Sequence, residues 1–187
     1  MHHKEQRHQR LRREQPQHKE QRGRGATVSE DIDSDEYKWE NGKLTQIFGD
    51  FRDLSGDLDV SSCINLTYLN CDENQLSSLD VSKNANLGEL RCGGNQLSNL
   101  DVSKNANLTH LECDGNQLSS LDVSKNVSLK YLSCGENQLS SLDVSDCANL
   151  TRLYCNQNQL SSLDVSNCVN LTRLLCDDTV DVIGYER

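Results

Sequence analysis

The chain has 187 residues and a formal net charge of -10, with 34% hydrophobic and 4% aromatic residues. So few aromatic side chains are not typical of a large globular core, and no stretch has the 18 or more mostly apolar residues of a membrane-spanning helix. Residues 1–25 contain eight Lys or Arg against three Glu while the remainder is acidic, an asymmetry typical of a tail attached to a folded domain.

Residues 1–36 are predicted to form a disordered tail. The tail is basic up to Gly25 and acidic from Ser29 to Glu36, and neither part can bury enough apolar surface to fold. Its basic part is suited to an anionic surface, but it lacks the interleaved aromatic side chains of a specific nucleic-acid site, so we expect no specific nucleic-acid partner. The first 24 residues also lack the apolar run of a secretory signal peptide.

Residues 37–57 are predicted to form an N-terminal cap. Asn41-Gly42 lies between two segments that contain apolar residues, and this dipeptide favours a β-hairpin in which both turn residues take positive φ. The cap also holds the only Trp and both Phe of the chain: Trp39, Phe48 and Phe51. Bulky residues at this place are expected to cover the apolar end of a repeat array.

From residue 66 onward a 21-residue unit recurs five times, and a sixth copy stops after Cys176. The first unit begins Leu66-x-x-Leu69-x-Cys71-x-x-Asn74-x-Leu76, which fits the leucine-rich repeat pattern with cysteine at the third leucine. Leu69 and Cys71 alternate with period two, so we expect both to face the interior of a short strand.

The unit leaves no room for a helix, because its second half repeats the spacing of a strand. We therefore predict that residues 58–178 form a leucine-rich repeat solenoid, mainly β, with about 21 residues per coil. Parallel strands should line the concave face and a second short extended segment the convex side, with few or no helices. Residues 179–187 are predicted to form a C-terminal end segment.

Nine cysteines raise the question of metal or redox chemistry. Zinc ligands need short spacings such as C-x₂-C, and the chain has none. Equivalent residues on adjacent coils lie about 4.8 Å apart, within the Cα range of disulfides, but parallel side chains disfavour the required dihedral. We predict a reduced, buried cysteine ladder, with Cys147 and Cys168 as the remaining candidate pair, and we expect no metal and no cofactor.

Polar residues recur with the same period. An Asn at position nine of each unit is expected to satisfy backbone groups at a bend, and Asn or Cys at position nineteen to play a similar structural role. An Asp at position fifteen recurs from Asp59 to Asp164. One carboxylate per coil is too few for a calcium site, so we interpret this row as solvated strand residues. No catalytic constellation is present, and we predict that the chain is not an enzyme.

The residues that differ between otherwise similar units are the candidate binding residues. Positions three and five alternate with buried Leu and Cys, so their side chains should face outward from the first strand. Tyr and Arg are favoured interface anchors. The predicted partner-binding residues are Tyr68, Arg91, His110, Glu112, Tyr131, Arg152, Tyr154 and Arg173. Drift at solvent-facing positions is the alternative, and an acidic rim of Asp72, Glu73, Asp114 and Glu136 would favour a basic partner near the N-terminal half.

With Cys at position six and Leu-Asp-Val-Ser in the second half, residues 58–176 resemble the cysteine-ladder leucine-rich repeat proteins of bacteria, with internalin J-like 21-residue repeats. The resemblance implies an extracellular or cell-surface module that binds molecules of a host or neighbouring cell through its concave face. The expected function is a non-catalytic protein- or glycoprotein-binding module, monomeric and active in cell-surface adhesion.

The alternative is a cytoplasmic scaffold or effector whose basic tail contacts an anionic partner. A regular ice- or surface-binding face would need a flat Thr array, and Gly88 and Lys130 interrupt the Thr residues at position two.

Overall fold

The computed structural model describes residues 26–27, 36–50 and 52–185, and within them it contains strands and turns but no helix. The strands are β1 (Ala26–Thr27), β2 (Tyr37–Glu40), β3 (Lys43–Phe48), β4 (Ser55–Asp59), β5 (Tyr68–Asn70), β6 (Gln75–Asp80), β7 (Glu89–Arg91), β8 (His110–Glu112), β9 (Tyr131–Ser133), β10 (Arg152–Tyr154), β11 (Ser162–Asp164), β12 (Arg173–Leu175) and β13 (Asp181–Ile183).

One side of the solenoid is an eight-stranded sheet in the order β12-β10-β9-β8-β7-β5-β3-β2. From β3 onward all its strands are parallel, and residues of the repeats pair with a shift of 21, as in Leu90↔Leu111. Each strand is therefore the same segment of successive coils. The predicted solenoid of about 21 residues per coil, with parallel strands, is confirmed.

The other side carries the second extended segment of each coil. Within the described residues it forms regular strand pairs near the two ends alone, in the sheets β1-β4-β6 and β11-β13. In the middle coils one bond per turn continues the ladder, for example from the Gln117 amide to the Leu97 carbonyl at 2.9 Å.

The core is a stack of equal layers. Four Leu, one Val and one Cys of each unit point inward, and in the middle coils nearly all of them are completely buried. Leu90, Cys92 and Leu97 of one coil, for example, have no exposed surface. Because a coil with such small side chains is thin, its core is completed only by the coils above and below it.

No disulfide joins any of the nine cysteines, all of which lie within the described residues, and all are buried except the half-buried Cys176. The thiol of Cys92 donates to the carbonyl of Glu112 in the next coil at 3.4 Å. Burial raises the pKa of the Cys92 thiol well above its usual value, so it stays protonated at neutral pH. The column packs as a row of small hydrophobic groups.

The Asn residues of position nine fasten each bend to the preceding coil. Asn95 donates from its side-chain amide to the carbonyls of Cys71, Cys92 and Gly93, and its Oδ1 accepts from the Leu76 amide. All four bonds are between 2.9 and 3.1 Å. A backbone that would lose its partners at the bend is thereby satisfied by one buried side chain.

The N-terminal end is covered by the antiparallel pair β2–β3, joined at Asn41 and Gly42 with φ values of 53° and 74°. Both residues lie in the left-handed region, as a type I′ turn requires. Strand β3 also pairs with β5 in parallel, so the hairpin extends the repeat sheet. Leu44 and Ile47 of β3 join the core; Phe51 lies outside the described residues.

Two short strands lie where the sequence predicts none. β1 lies within the segment predicted to be a disordered tail, and it pairs with β4 in parallel. The rest of that segment, apart from Glu36, lies outside the described residues. β13 lies in the predicted end segment and pairs with β11. Both add to the solenoid through backbone hydrogen bonds, which composition does not reveal.

Candidate functional site

All eight predicted partner-binding residues lie on the outer face of the eight-stranded sheet. They occur at the first or third residue of strands β5, β7, β8, β9, β10 and β12, and the middle residue of each strand points into the core. Arg152 and Arg173 are exposed and the other six are half-buried. We call this surface, formed by positions three and five of the coils, the sheet face.

At the N-terminal end of the sheet face the side chains contact one another through an aromatic pair and ion pairs. The rings of Phe48 and Tyr68 lie 4.9 Å apart between their centroids. The Arg91 guanidinium forms ion pairs with Glu89 at 2.7 Å and with Glu112 at 3.7 Å. These contacts leave little unpaired charge on this part of the surface.

An aromatic row follows in the middle of the sheet face. The rings of His110 and Tyr131 are stacked, with centroids 4.1 Å apart and planes 3° from parallel. Tyr154 meets Tyr131 edge-on at 5.5 Å between centroids. Parallel strands about 4.8 Å apart bring equivalent side chains to stacking distance, so the row follows from the coil spacing.

Glu112 connects the aromatic row to the charged end. Its Oε1 lies 2.8 Å from Nε2 of His110. This hydrogen bond, helped by the Arg91 charge, lowers the pKa of the Glu112 carboxyl even though partial burial acts in the opposite direction. The carboxylate is therefore ionised and held in place by neighbours from two strands.

At the C-terminal end the charges are positive. Arg152 and Arg173 are partners in the register of β10 and β12, and the Lys130 carbonyl accepts from the Arg152 amide, so three cationic residues occupy adjacent coils. None of their side chains forms an ion pair with an acidic group of the described residues. Leu175, the register partner of Tyr154, is 50% exposed beside them.

The acidic rim lies beyond the carboxyl ends of the strands. Asp72 Oδ1 accepts from the Gly93 amide at 2.7 Å, and its partial burial raises the pKa of its carboxyl to about 6. The nearby charges of Glu112 and Asp114 act in the same direction. Glu73 and Glu136 lie at turn positions with φ of 53° and 52°. The rim residues thus contribute to the turns and also form an acidic surface.

The Asp row of position fifteen has a role that the sequence interpretation missed. Each of these exposed carboxylates accepts a hydrogen bond from the amide of the Ser two residues later, as from Ser103 to Asp101 at 2.9 Å. The side chain thereby forms the turn, and the Asp-x-Ser spacing was the available signal. Within residues 26–27, 36–50 and 52–185 no group of three His, Cys, Asp or Glu is placed to hold a metal ion.

Three further residues of the surface were not among the predicted binding residues. Phe48 of the cap is in register with Asn70, so its ring continues the sheet face before the first complete unit. Glu89 pairs with Arg91 on the sheet face, and the exposed Lys130, directly before β9, borders the sheet face at its cationic end. The two repeat residues occupy positions two and three of their units, which were readable from the alignment of the repeats.

Comparison with known families matches residues 127–167 to "Leucine Rich repeats (2 copies)". Among solved structures, the chain is similar to the functional domain of InlJ from Listeria monocytogenes, which includes a cysteine ladder, with 33% identity and a TM-score of 0.61 over 75% of this chain and 32% of that one. It is also similar to the Leptospira interrogans LRR protein LIC12759, with 26% identity and a TM-score of 0.59 over 68% of this chain and 37% of that one.

A third likeness is one of fold alone. The LRR ectodomain of the Arabidopsis thaliana receptor kinase GASSHO1/SCHENGEN3, in complex with CASPARIAN STRIP INTEGRITY FACTOR 2, has 23% identity and a TM-score of 0.54 over 69% of this chain and 20% of that one. No curated protein matches the sequence. The chain thus spans about a third of the two bacterial proteins named above.

Proposed function

Because the chain is a cysteine-ladder leucine-rich repeat solenoid, with repeats like those of internalin J, we propose that it is a non-catalytic module that binds a protein or glycoprotein through the sheet face. The observation that carries the proposal is the distribution of sequence change. Core and turn positions are nearly constant between coils, whereas the pair of outward residues at positions three and five is a different combination in every coil. A surface of varied side chains on a rigid, uniform frame is suited to recognition.

The side chains on this surface are those that interfaces favour. Tyr131 and Tyr154 are held by ring contacts and Arg91 by two carboxylates, so their ordering on binding costs little entropy. The fold is also one that takes a protein partner, as the plant ectodomain shows by its complex with a protein factor. Concave-face binding by a monomer is the arrangement we propose for this chain.

The place of action is proposed to be the cell surface, in adhesion. The support is the likeness to InlJ at 33% identity and to the internalin J-like repeat pattern. Among the described residues no helix is long and apolar enough to cross a membrane. The cytoplasmic scaffold with a basic tail would be favoured instead by a cytoplasmic pool of the protein in its native cell.

The test is a capture experiment with surface proteins of neighbouring or host cells, comparing the wild-type chain with a Tyr131→Ala/Tyr154→Ala variant. We expect the variant to lose the captured partner at least tenfold. The matched control is Gln117→Ala/Gln138→Ala, which removes exposed side chains from the second segment of the coil and should bind as the wild type does. Equal capture by all three proteins would overturn binding through the sheet face.

A further inference from the structure

The C-terminal half of the sheet face differs from the rest because its charges have no counter-charge. Arg91, Glu89, His110 and Glu112 satisfy one another in the N-terminal half. Lys130, Arg152 and Arg173 form no ion pair within the part of the chain that the structure describes. The chain has a net charge of -10, so three unpaired cations in adjacent coils make this part of its surface positive where the chain as a whole is negative.

The three cations lie beside apolar and aromatic surface. Arg152 is in register with Tyr131 and with Arg173, and Tyr154 is in register with Leu175. Leu175 is 50% exposed although it lies within a strand. We call this surface, formed by Lys130, Tyr131, Arg152, Tyr154, Arg173 and Leu175, the basic patch.

We infer that the basic patch binds an acidic polypeptide segment that carries an aromatic or leucine side chain beside its carboxylates. The inference rests on the proposed function and names the chemistry of the partner. Arginine guanidinium groups pair with carboxylates through two parallel hydrogen bonds, and two guanidinium groups on adjacent strands fit two carboxylates of one segment. The exposed Leu175 and the half-buried ring of Tyr154 supply contact for the apolar side chain.

A basic segment is excluded from the basic patch by the same charges. On the sheet face the acidic residues Glu89 and Glu112 both lie in earlier coils, and Arg152 and Arg173 lie in the last two coils. A partner with mixed charge is therefore held in one orientation, with its acidic part over the last two coils. The N-terminal half contributes less, because Arg91 and Glu112 already neutralise each other.

The experiment uses a displayed library of random 12-residue peptides, selected on the complete chain. Selection on the wild type is expected to enrich peptides with at least two Asp or Glu and one Tyr, Phe, Trp or Leu. A synthetic peptide of the enriched sequence should bind at least tenfold more weakly to an Arg152→Glu/Arg173→Glu variant. Its affinity should also fall severalfold between low and physiological salt.

The matched control is Lys104→Glu/Lys125→Glu, which makes the same change in net charge at exposed residues away from the sheet face. We expect it to bind the peptide within twofold of the wild type. Equal weakening in both double variants would show an effect of net charge alone and would overturn the inference. Circular dichroism of each variant establishes that the solenoid is retained before the affinities are compared.

The other outcomes are distinguishable from failure of the proposed function. Enriched peptides that lack acidic residues, or that bind the Arg152→Glu/Arg173→Glu variant unchanged, would overturn the basic patch and leave protein binding by the sheet face intact. Binding of heparin that the double variant loses, with no peptide enriched, would overturn the acidic segment in favour of a sulfated glycan. The capture experiment reports on the sheet face as a whole in either case.

Discussion

Position nineteen of the repeat shows how single residues hold a thin coil together. Asn105 is completely buried, and its amide donates to the carbonyls of Val81 and Asn84 at 3.0 and 2.9 Å. Its Oδ1 is buried and has no hydrogen-bond partner in the described part of the chain. At Cys168 a thiol lies 3.6 Å from the corresponding carbonyl of Val144 and leaves no acceptor unsatisfied. The amide gains two hydrogen bonds at the cost of one unpaired oxygen, and the thiol gains one weak contact without that cost.

This balance predicts a graded response to substitution at Asn105. Asn105→Cys should lower the free energy of unfolding by less than about 1 kcal/mol, because the chain already uses Cys at this position. Asn105→Asp should lower it by more than about 3 kcal/mol, because a buried carboxylate would face two carbonyl oxygens. Urea unfolding followed by circular dichroism measures both.

The neighbouring Asn107 offers the control. It is exposed and its amide bonds the Ala85 carbonyl at 3.0 Å, so Asn107→Asp should cost less than about 1 kcal/mol. If Asn105→Asp were as stable as Asn107→Asp, the two buried carbonyls that accept from Asn105, those of Val81 and Asn84, would not be the reason for Asn at position nineteen.

At the scale of the element, the turn after the second segment is built by its Asp side chain. The same bond from Oδ1 to the amide of Ser two residues later recurs in six successive coils at 2.8 or 2.9 Å. Chiefly because of this bond, the pKa of the Asp101 carboxyl is lowered from its usual value of 3.8, and Lys104 acts in the same direction. The carboxylate thus stabilises the turn in its ionised form.

The lowered pKa sets the sign of a pH dependence. A carboxyl whose pKa is lower in the folded chain stabilises it above the unfolded pKa, and that stabilisation is lost as pH falls through the folded value. Asp101→Ala should therefore be less stable than the wild type at pH 7, and the difference should shrink below about pH 3. Thermal unfolding at the two pH values measures the change.

Asp101→Asn is the matched variant for this turn. It keeps an oxygen that can accept the Ser103 amide but carries no titratable group. It should lie between Asp101→Ala and the wild type at pH 7. A difference between Asp101→Ala and the wild type that stayed constant with pH would contradict the role of the charged turn.

At the scale of the whole molecule, each coil contacts only the coils directly before and after it, and the first coil is better covered than the last. The hairpin β2–β3 covers the first coil with Leu44 and Ile47. The last coil is more open: Leu174 and Cys176 are half-buried, whereas their equivalents in the middle coils have no exposed surface. Because each coil contacts only its neighbours, loss of structure is expected to begin at an end rather than throughout.

The regular stacking of coils also determines how much of the fold and of the sheet face could be predicted from the sequence. The period fixes the coil, and alternation in Leu69-x-Cys71 fixes which side chains face the core, so the fold and the location of the eight site residues were accessible. Which side chains pair with each other on the sheet face could not be predicted from the sequence. Glu112 has His110 on its own strand and Arg91 on the neighbouring one, both within reach, and side-chain rotamers rather than spacing decide the contacts.

Thiol labelling tests whether the last coil opens more readily than the middle coils, because every coil contains a cysteine. The thiolate is the reactive form, and burial raises the pKa of Cys92 and Cys134, so both sterics and ionisation protect them in the folded chain. With iodoacetamide at pH 8 and mass spectrometry, Cys176 should be modified first. Cys63, Cys155 and Cys168, which retain a small exposed fraction and lie in or next to the end coils, should follow, and Cys92 should react on the order of a hundredfold more slowly than Cys176.

A Leu174→Ala variant separates opening from the end from opening as a single unit. Removing this side chain from the last coil should accelerate labelling of Cys155, which belongs to the coil beside it, and leave Cys92 unchanged. Equal acceleration at all nine thiols would mean that the solenoid opens cooperatively. In that case the basic patch, which occupies the last coils, would be as rigid as the centre. A gradient would instead make the basic patch the least stable part of the sheet face, and a ligand that spans its strands should slow the labelling of Cys155 and Cys176.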